Sequence, residues 1–358
     1  MTRLIELLIS LAIVAVLFVS VGVVLPDSRH LSHSVETNRK MTIVYDTLNS
    51  FRRFSDWNPL VMKDPAMQVK LSGPEEGVGA RLDYTSKEKG LREGSWEIVK
   101  SVPGERVSYA VTDVEPGKNK RTDFILKKTG KGGRNIAITQ TYDVDYGWNL
   151  IGRYAGLYVS SSVGEDMKMG LSRLSNMLAT VPNYDYAEMS KDDPTKAPKL
   201  VERPAENLLV VTAVVPRDNV KVQAQMKGNV EWINKVMAAN GLEAAGPVRI
   251  ITNEFGAESY SFDVAQPVRK IGATGLATAL TDIKLDGPVT VVYNEPAKLA
   301  SVPFTGHMAN LPKIRDAVRA WALTRGFETV ERPYEVWKAG IDAGFTEAGE
   351  YDVYWAVK

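Results

Sequence analysis

Hydrophobic positions divide the chain into four stretches. The first is an unbroken apolar run, Leu7 to Leu25, without a single charge. At ~1.5 Å per residue a helix over this run is about 28 Å long, close to the ~30 Å hydrocarbon core of a bilayer. A buried core helix would show a polar stripe, and none is present. A cleavable signal peptide would have an apolar core of ~7–15 residues and a small-x-small site. Here the run is longer and ends Gly22-Val-Val-Leu-Pro26. The pattern predicts an uncleaved, single-pass transmembrane helix within residues 1–27. Arg3 and Arg29 bracket it, so flanking charge does not orient it. The short lead before Arg3 is that of a signal-anchor with the body outside the cytoplasm.

Residues 28–180 change period. Leu82 with Tyr84, Trp96 with Ile98, Val107 with Tyr109 and Val111, Phe124 with Leu126, and Ile136 with Ile138 alternate with polar residues. Turn residues separate the runs, which predicts an antiparallel meander. A short helix is expected near Thr42–Phe51. The stretch closes with a stripe of Val163, Met167, Leu171, Leu174 and Leu178 on one predicted helix, with Ser160 to Ser162 as N-cap candidates. A curved sheet closing on one long helix leaves a space between them. Trp57, Tyr84, Trp96, Tyr109 and Phe124, with Leu171 from the helix stripe, are the candidate lining. The same residues could equally be plain core.

Residues 181–199, with Pro182, Pro194 and Pro198 among polar neighbours, read as a linker. Beyond it, residues 200–358 contain a repeat. A helix with Val230, Ile233 and Val236 leads to Gly241 and a strand Tyr260–Val264. A second helix with Ile314, Val318 and Trp321 leads to Gly326 and a strand Tyr351–Trp355. Each glycine stands where a helix C-cap is expected. Two strand–helix–strand–strand units result, and the whole is an α+β protein.

Composition removes several functions. The net charge is +1, without the basic excess of a nucleic-acid binder. There are no cysteines, hence no disulfide, thiolate nucleophile or zinc–thiolate site, and only His30, His33 and His307 offer imidazoles. No GxSxG, HExxH, Walker-type or complete GxGxxG frame occurs, so no cofactor, metal or catalytic residue is assigned. Lys118, Lys120, Arg121, Lys127, Lys128, Lys131 and Arg134 concentrate on one predicted hairpin, either solvated or touching anionic headgroups.

Two resemblances sharpen the reading. The run Phe54-Ser-Asp-Trp-Asn-Pro59, then Ser72-Gly-Pro74, Gly77-Val-Gly-Ala80 and Gly94-Ser-Trp-Glu-Ile98, resembles the polyketide cyclase/START-like (SRPBCC) superfamily. That implies a helix-grip fold, a sheet wrapped on its C-terminal helix, with a cavity for lipids, polyketides or other apolar molecules. The second half resembles the GyrI-like effector-binding domain through Gly306-His307, the Trp321 to Phe327 helix end, Pro333-Tyr-Glu-Val-Trp337 and the Phe262-Asp263 to Pro267-Val268 strand end. The resemblance implies a groove between the two repeats for hydrophobic, often cationic, molecules, and it draws Asp263, Trp321, Glu335 and Trp337 into that groove. Asp263 stands where the family has Glu, and Met308-Ala-Asn310 replaces its Gly-Pro-Tyr.

The expectation is therefore a membrane-anchored binding protein for a hydrophobic small molecule or lipid, with the membrane as its other partner and no nucleic acid. The alternative is an enzyme, cyclase-like or a hydrolase using Glu335 with Asp263, and the residues alone leave that open.

Overall fold

The computed structural model describes residues 2–275 and 277–358. It divides into two compact units, the first closing at Val181 and the second running Pro182–Lys358.

The first unit opens with α1 (Thr2–Val24), long and apolar enough to cross a membrane, its described side chains exposed throughout and only Gly22 buried. Then follow β1 (Ser28–Thr37), α2 (Met41–Leu48) and the single turn α3 (Phe54–Trp57). The meander is β2 (Gln68–Ser72), β3 (Arg81–Thr85), β4 (Glu93–Val102), β5 (Arg106–Thr112), β6 (Lys118–Thr129) and β7 (Asn135–Asp145). A short α4 (Leu150–Ala155) precedes α5 (Val159–Ala179). The strands form one antiparallel sheet in the order β1-β7-β6-β5-β4-β3-β2, so the first strand crosses over to pair with the last. In β7 every second residue from Ile136 to Val144 is buried, as a sheet with one covered face requires. The cover is α5, whose Met167, Leu171, Leu174 and Leu178 are buried as the stripe predicts. Ser160 to Ser162 do not cap it. The N-cap is Tyr158, and the Ser161 and Ser162 hydroxyls donate back to the Tyr158 carbonyl from inside the first turn.

Register places the basic hairpin. Ser28, just after α1, pairs with Asp145, whereas Thr129 pairs with Asn135 at the other end of β7. Ten residue steps of ~3.3 Å put the hairpin tip about 33 Å from the α1 junction. Lys127, Lys128, Lys131 and Arg134 therefore stand at the far end of the sheet from α1, whereas Lys118, paired with Asp145, stands at the near end. Lys120 is buried against Asp113, and Arg121 is paired with Asp123.

In the second unit, residues 182–198 pack rather than hang free, because Tyr186 is buried with the Arg325 guanidinium 5.8 Å from its ring centre. The elements are β8 (Lys199–Arg203), β9 (Glu206–Pro216), α6 (Asn219–Ala239), β10 (Leu242–Ala244), β11 (Arg249–Phe255) and β12 (Ser259–Lys270). They continue with β13 (Thr290–Asn294), β14 (Ala297–Thr305), α7 (Leu311–Thr324), β15 (Thr329–Trp337), α8 (Gly340–Gly344) and β16 (Glu350–Val357). The main strand order is β13-β9-β12-β11-β15-β16-β14-β8, with β10 beside β12. Helix α6 packs on β9 and β12, and α7 on β14, β15 and β16.

Candidate functional site

Between the sheet and α5 of the first unit lies a cavity of about 400 Å³, within the range of small-molecule sites. Three local devices shape it. Asn58 Oδ1 accepts from the Leu60 backbone N–H at 3.0 Å and fixes the turn after α3, which presents Trp57 to the interior and Pro59 to α5. Gly170 of α5 lies where an added Cβ would come 3.2 Å from Pro59 Cδ, so the helix can approach that turn. Gly94 is the cross-strand partner of Tyr84, whose ring lies across the missing side chain. A Cβ at Gly94 would stand 2.3 Å from the Tyr84 hydroxyl and 2.4 Å from the Thr112 carbonyl oxygen.

Of the candidate lining residues, Trp57, Tyr84 and Trp96 stand in the cavity wall, and Tyr109, Phe124 and Leu171 do not. Tyr109 and Phe124 are fully buried behind the wall, in a chain of edge-to-face rings: Trp96–Tyr109 at 5.8 Å, Tyr109–Phe124 at 5.7 Å and Trp57–Phe124 at 5.5 Å. The Tyr109 hydroxyl donates to the Leu48 carbonyl of α2, so its polar end is already satisfied. Leu171 sits where α5 crosses β1, beside His33 and Val35.

The wall has members that the aromatic pattern did not single out: Thr122, Gln140, Tyr142, Tyr146, Val163 and Met167. Gln140 carried a readable signal. It occupies an inward position of β7, between Ile138 and Tyr142, where a polar side chain is out of place in a dry core. Its Nε2 donates to Thr122 Oγ1 at 3.2 Å, and that hydroxyl donates to the Thr141 carbonyl at 2.7 Å. The indole N–H of Trp57, a buried residue of the same wall, has no hydrogen-bond partner. An unsatisfied buried donor costs roughly 1–3 kcal/mol.

Charge collects at the rim. Lys63 pairs with Asp166, Lys120 pairs with Asp113, and the Lys120 ammonium also donates to the Glu115 carbonyl at 2.6 Å. Burial, assisted by the Asp113 carboxylate, pushes the Tyr84 phenol up to about 12. Burial likewise raises Tyr142 and Tyr146. All three phenols thus stay protonated at neutral pH. The result is a cavity with apolar walls, a few convergent polar groups and an ion-paired mouth, suited to an amphipathic guest. No histidine is in the wall, and Asp113 and Asp166 are both held by lysines. Among the described residues no group of three or more His, Asp or Glu is placed to hold a metal ion.

In the second unit the expected groove carboxylates separate. Ile250 of β11 pairs with both Val264 and Glu335, and its neighbour Ile251 pairs with both Asp263 and Tyr334. Adjacent strand residues face opposite ways, so Glu335 and Asp263 lie on opposite faces of the sheet. This corrects the expectation of two carboxylates in one groove. Glu335 is fully buried on the face that α7 covers, and Arg315 of α7 holds both of its oxygens, the second at 3.0 Å. Trp337 shares that face. It is core, packed edge-on against Tyr351 at 5.2 Å with Gly344 against its ring. Trp321 is buried in α7 with the Arg325 guanidinium 4.7 Å from its ring centre.

Asp263 faces the other side and accepts from Thr212 Oγ1 at 2.8 Å and Asn253 Nδ2 at 2.6 Å, with Arg332 at 3.5 Å. On that face Ile251 joins two apolar clusters, one with Leu208, Val210 and Ala265, the other with Leu299, Tyr334 and Ala356. Arg249 belongs there too. It binds Glu206 through two nitrogens and lies 5.1 Å from the centre of the Tyr334 ring, an arrangement no linear spacing announces.

Comparison with known proteins gives one family match. Residues 28–178 match the family described as polyketide cyclase/dehydrase and lipid transport. No curated protein matches the chain. Among solved structures, the C-terminal domain of EcmrR is similar at 16% identity and TM-score 0.35, covering 45% of this chain and 96% of that one. A truncated norcoclaurine synthase from Thalictrum flavum is similar at 12% identity and TM-score 0.33, covering 43% and 94%. A solution structure from Thermobifida fusca is similar at 19% identity and TM-score 0.33, covering 42% and 93%.

Proposed function

We infer that the chain is a membrane-anchored binding protein whose first unit holds an apolar or amphipathic small molecule between its sheet and α5. The observation that carries this reading is the cavity itself: about 400 Å³, walled by aromatic and aliphatic side chains with a few polar groups among them. The family match over residues 28–178 supports it, since that family includes lipid transport. Helix α1 supports the anchor, and the signal-anchor reading puts the body outside the cytoplasm.

The second unit fits a GyrI-like ligand-binding domain in its strand order. The run β9-β12-β11 and the run β14-β16-β15 have the same internal order and meet at β11 and β15. A guest of this unit would lie on the face of Asp263 and Tyr334, away from Glu335. The hydrolase alternative built on Asp263 with Glu335 loses its geometry, because Arg315 holds Glu335 on one face of the sheet while Asp263 lies on the other.

Val163 lines the cavity from α5, and Val163→Trp would fill it without touching the rim ion pairs. The full chain in detergent micelles, titrated with a fluorescent long-chain fatty acid, should bind it. Val163→Trp should weaken binding at least tenfold while thermal unfolding stays within a few degrees. Equal binding by both proteins, or none by the parent, contradicts the reading.

A further inference from the structure

The junction between α1 and the body carries a second apolar surface. The chain leaves α1 through Leu25 and Pro26 and enters β1, and Asp27 accepts hydrogen bonds from the Tyr146 and Gly147 amides at 2.6 and 3.1 Å. Arg153 of α4 locks the joint. Its buried guanidinium donates to the α1-end carbonyls of Val23 at 2.8 Å and Leu25 at 3.0 Å, and to Gly147 at 2.7 Å. These are carbonyls that a helix C-terminus leaves without an internal partner, and a cation is favoured there.

Helix α4 does not stop at the foot of α1 but runs beside it. The Tyr154 ring stacks on Phe18 at 4.5 Å and its hydroxyl donates to the Phe18 carbonyl at 2.8 Å. A Cβ on Gly22 would come 3.2 Å from Tyr154 and 3.3 Å from Leu150, so the two helices meet closely. Phe18 lies seven residues before Leu25, the end of the apolar run, or about 10 Å along the helix axis. The Tyr154 side chain of α4 therefore reaches the last 10 Å of the segment read as spanning the bilayer, while Gly156, the C-cap of α4, accepts from Arg29 Nε at 2.9 Å just beyond that segment.

On and beside α4 four large side chains are mostly exposed: Trp148 is 81% exposed, Ile151 69%, Leu157 51% and Tyr158 70%. Tryptophan and tyrosine with aliphatic neighbours are what a bilayer's interfacial zone favours. Tyr158 also lines the cavity, as do Ala155 and Val159 on either side of it. We propose that Trp148, Ile151, Leu157 and Tyr158 form a collar that inserts into the surface of the bilayer spanned by α1 and seats the cavity mouth on it. An apolar guest then exchanges between bilayer and cavity at Tyr158 without crossing bulk water. This rests on the membrane-anchor reading above.

The absence of cysteine makes the test direct. Single cysteines replace Val14, Ile151, Leu157 and Lys128 in the full chain, each carrying a nitroxide, and the protein is reconstituted in phosphatidylcholine vesicles. Collision with oxygen reports lipid, and collision with a water-soluble nickel chelate reports water. The collar predicts that oxygen collisions exceed nickel collisions at Val14, Ile151 and Leu157, with the reverse at Lys128. Lipid at Val14 but water at Ile151 and Leu157 overturns the collar and leaves the anchor standing. Water at Val14 overturns the anchor, and the collar with it.

Discussion

At the scale of single residues, what lies over an inward-facing side chain of the sheet sets its role. Trp57, Tyr84 and Trp96 line the cavity, whereas Tyr109 and Phe124 share the inward face but are overlaid by their neighbours' rings and, for Tyr109, by α2. Depth along a strand decides between lining and packing, and depth is a tertiary quantity. Glu335 shows the same limit more sharply. Its motif Pro333-Tyr-Glu-Val-Trp337 was legible, but its role is set by Arg315, twenty residues away on α7. A buried pair of this kind is costly to break from one side. Arg315→Met should therefore lower stability by about 3–5 kcal/mol by leaving Glu335 buried and unpaired, and adding Glu335→Met should restore most of the loss. Denaturant midpoints of the single and double variants check this. A single variant within about 1 kcal/mol of the parent would show that the pair does not carry the structural role given to it.

At the scale of elements, the meander and the α5 stripe were readable because alternation with turn residues and a helical apolar stripe leave few other arrangements. The crossover that puts β1 beside β7 was not, since strand partners far apart in sequence leave no local trace. Register then carried consequences that spacing could not: it put the tip of the basic hairpin far from α1 and put Asp263 and Glu335 on opposite faces. The joint between α1 and the body was likewise invisible, because Arg153 has no motif around it. Its part can be measured. Arg153→Ala removes the donors to Val23, Leu25 and Gly147. The amides of Tyr146 and Gly147, which bond Asp27 across the joint, should then exchange with deuterium at least tenfold faster in the bilayer-embedded chain, a loss of about 1.4 kcal/mol. Unchanged protection would mean that the remaining contacts of α4 suffice.

At the scale of the whole chain, an apolar segment packed against α4, a cavity whose wall includes Tyr158, and a mouth bearing ion pairs belong to one unit. The sequence anticipated an anchor and a binding body as separate parts, and the structure adds the short α4 that ties them. The central claim is that the cavity holds a guest. Native mass spectrometry of the full chain, released from gently prepared membranes, tests it most directly. A bound apolar or amphipathic molecule of defined mass, absent from Val163→Trp, is the predicted result. A parent chain that emerges at its bare mass, and stays there after incubation with a lipid extract, would contradict it.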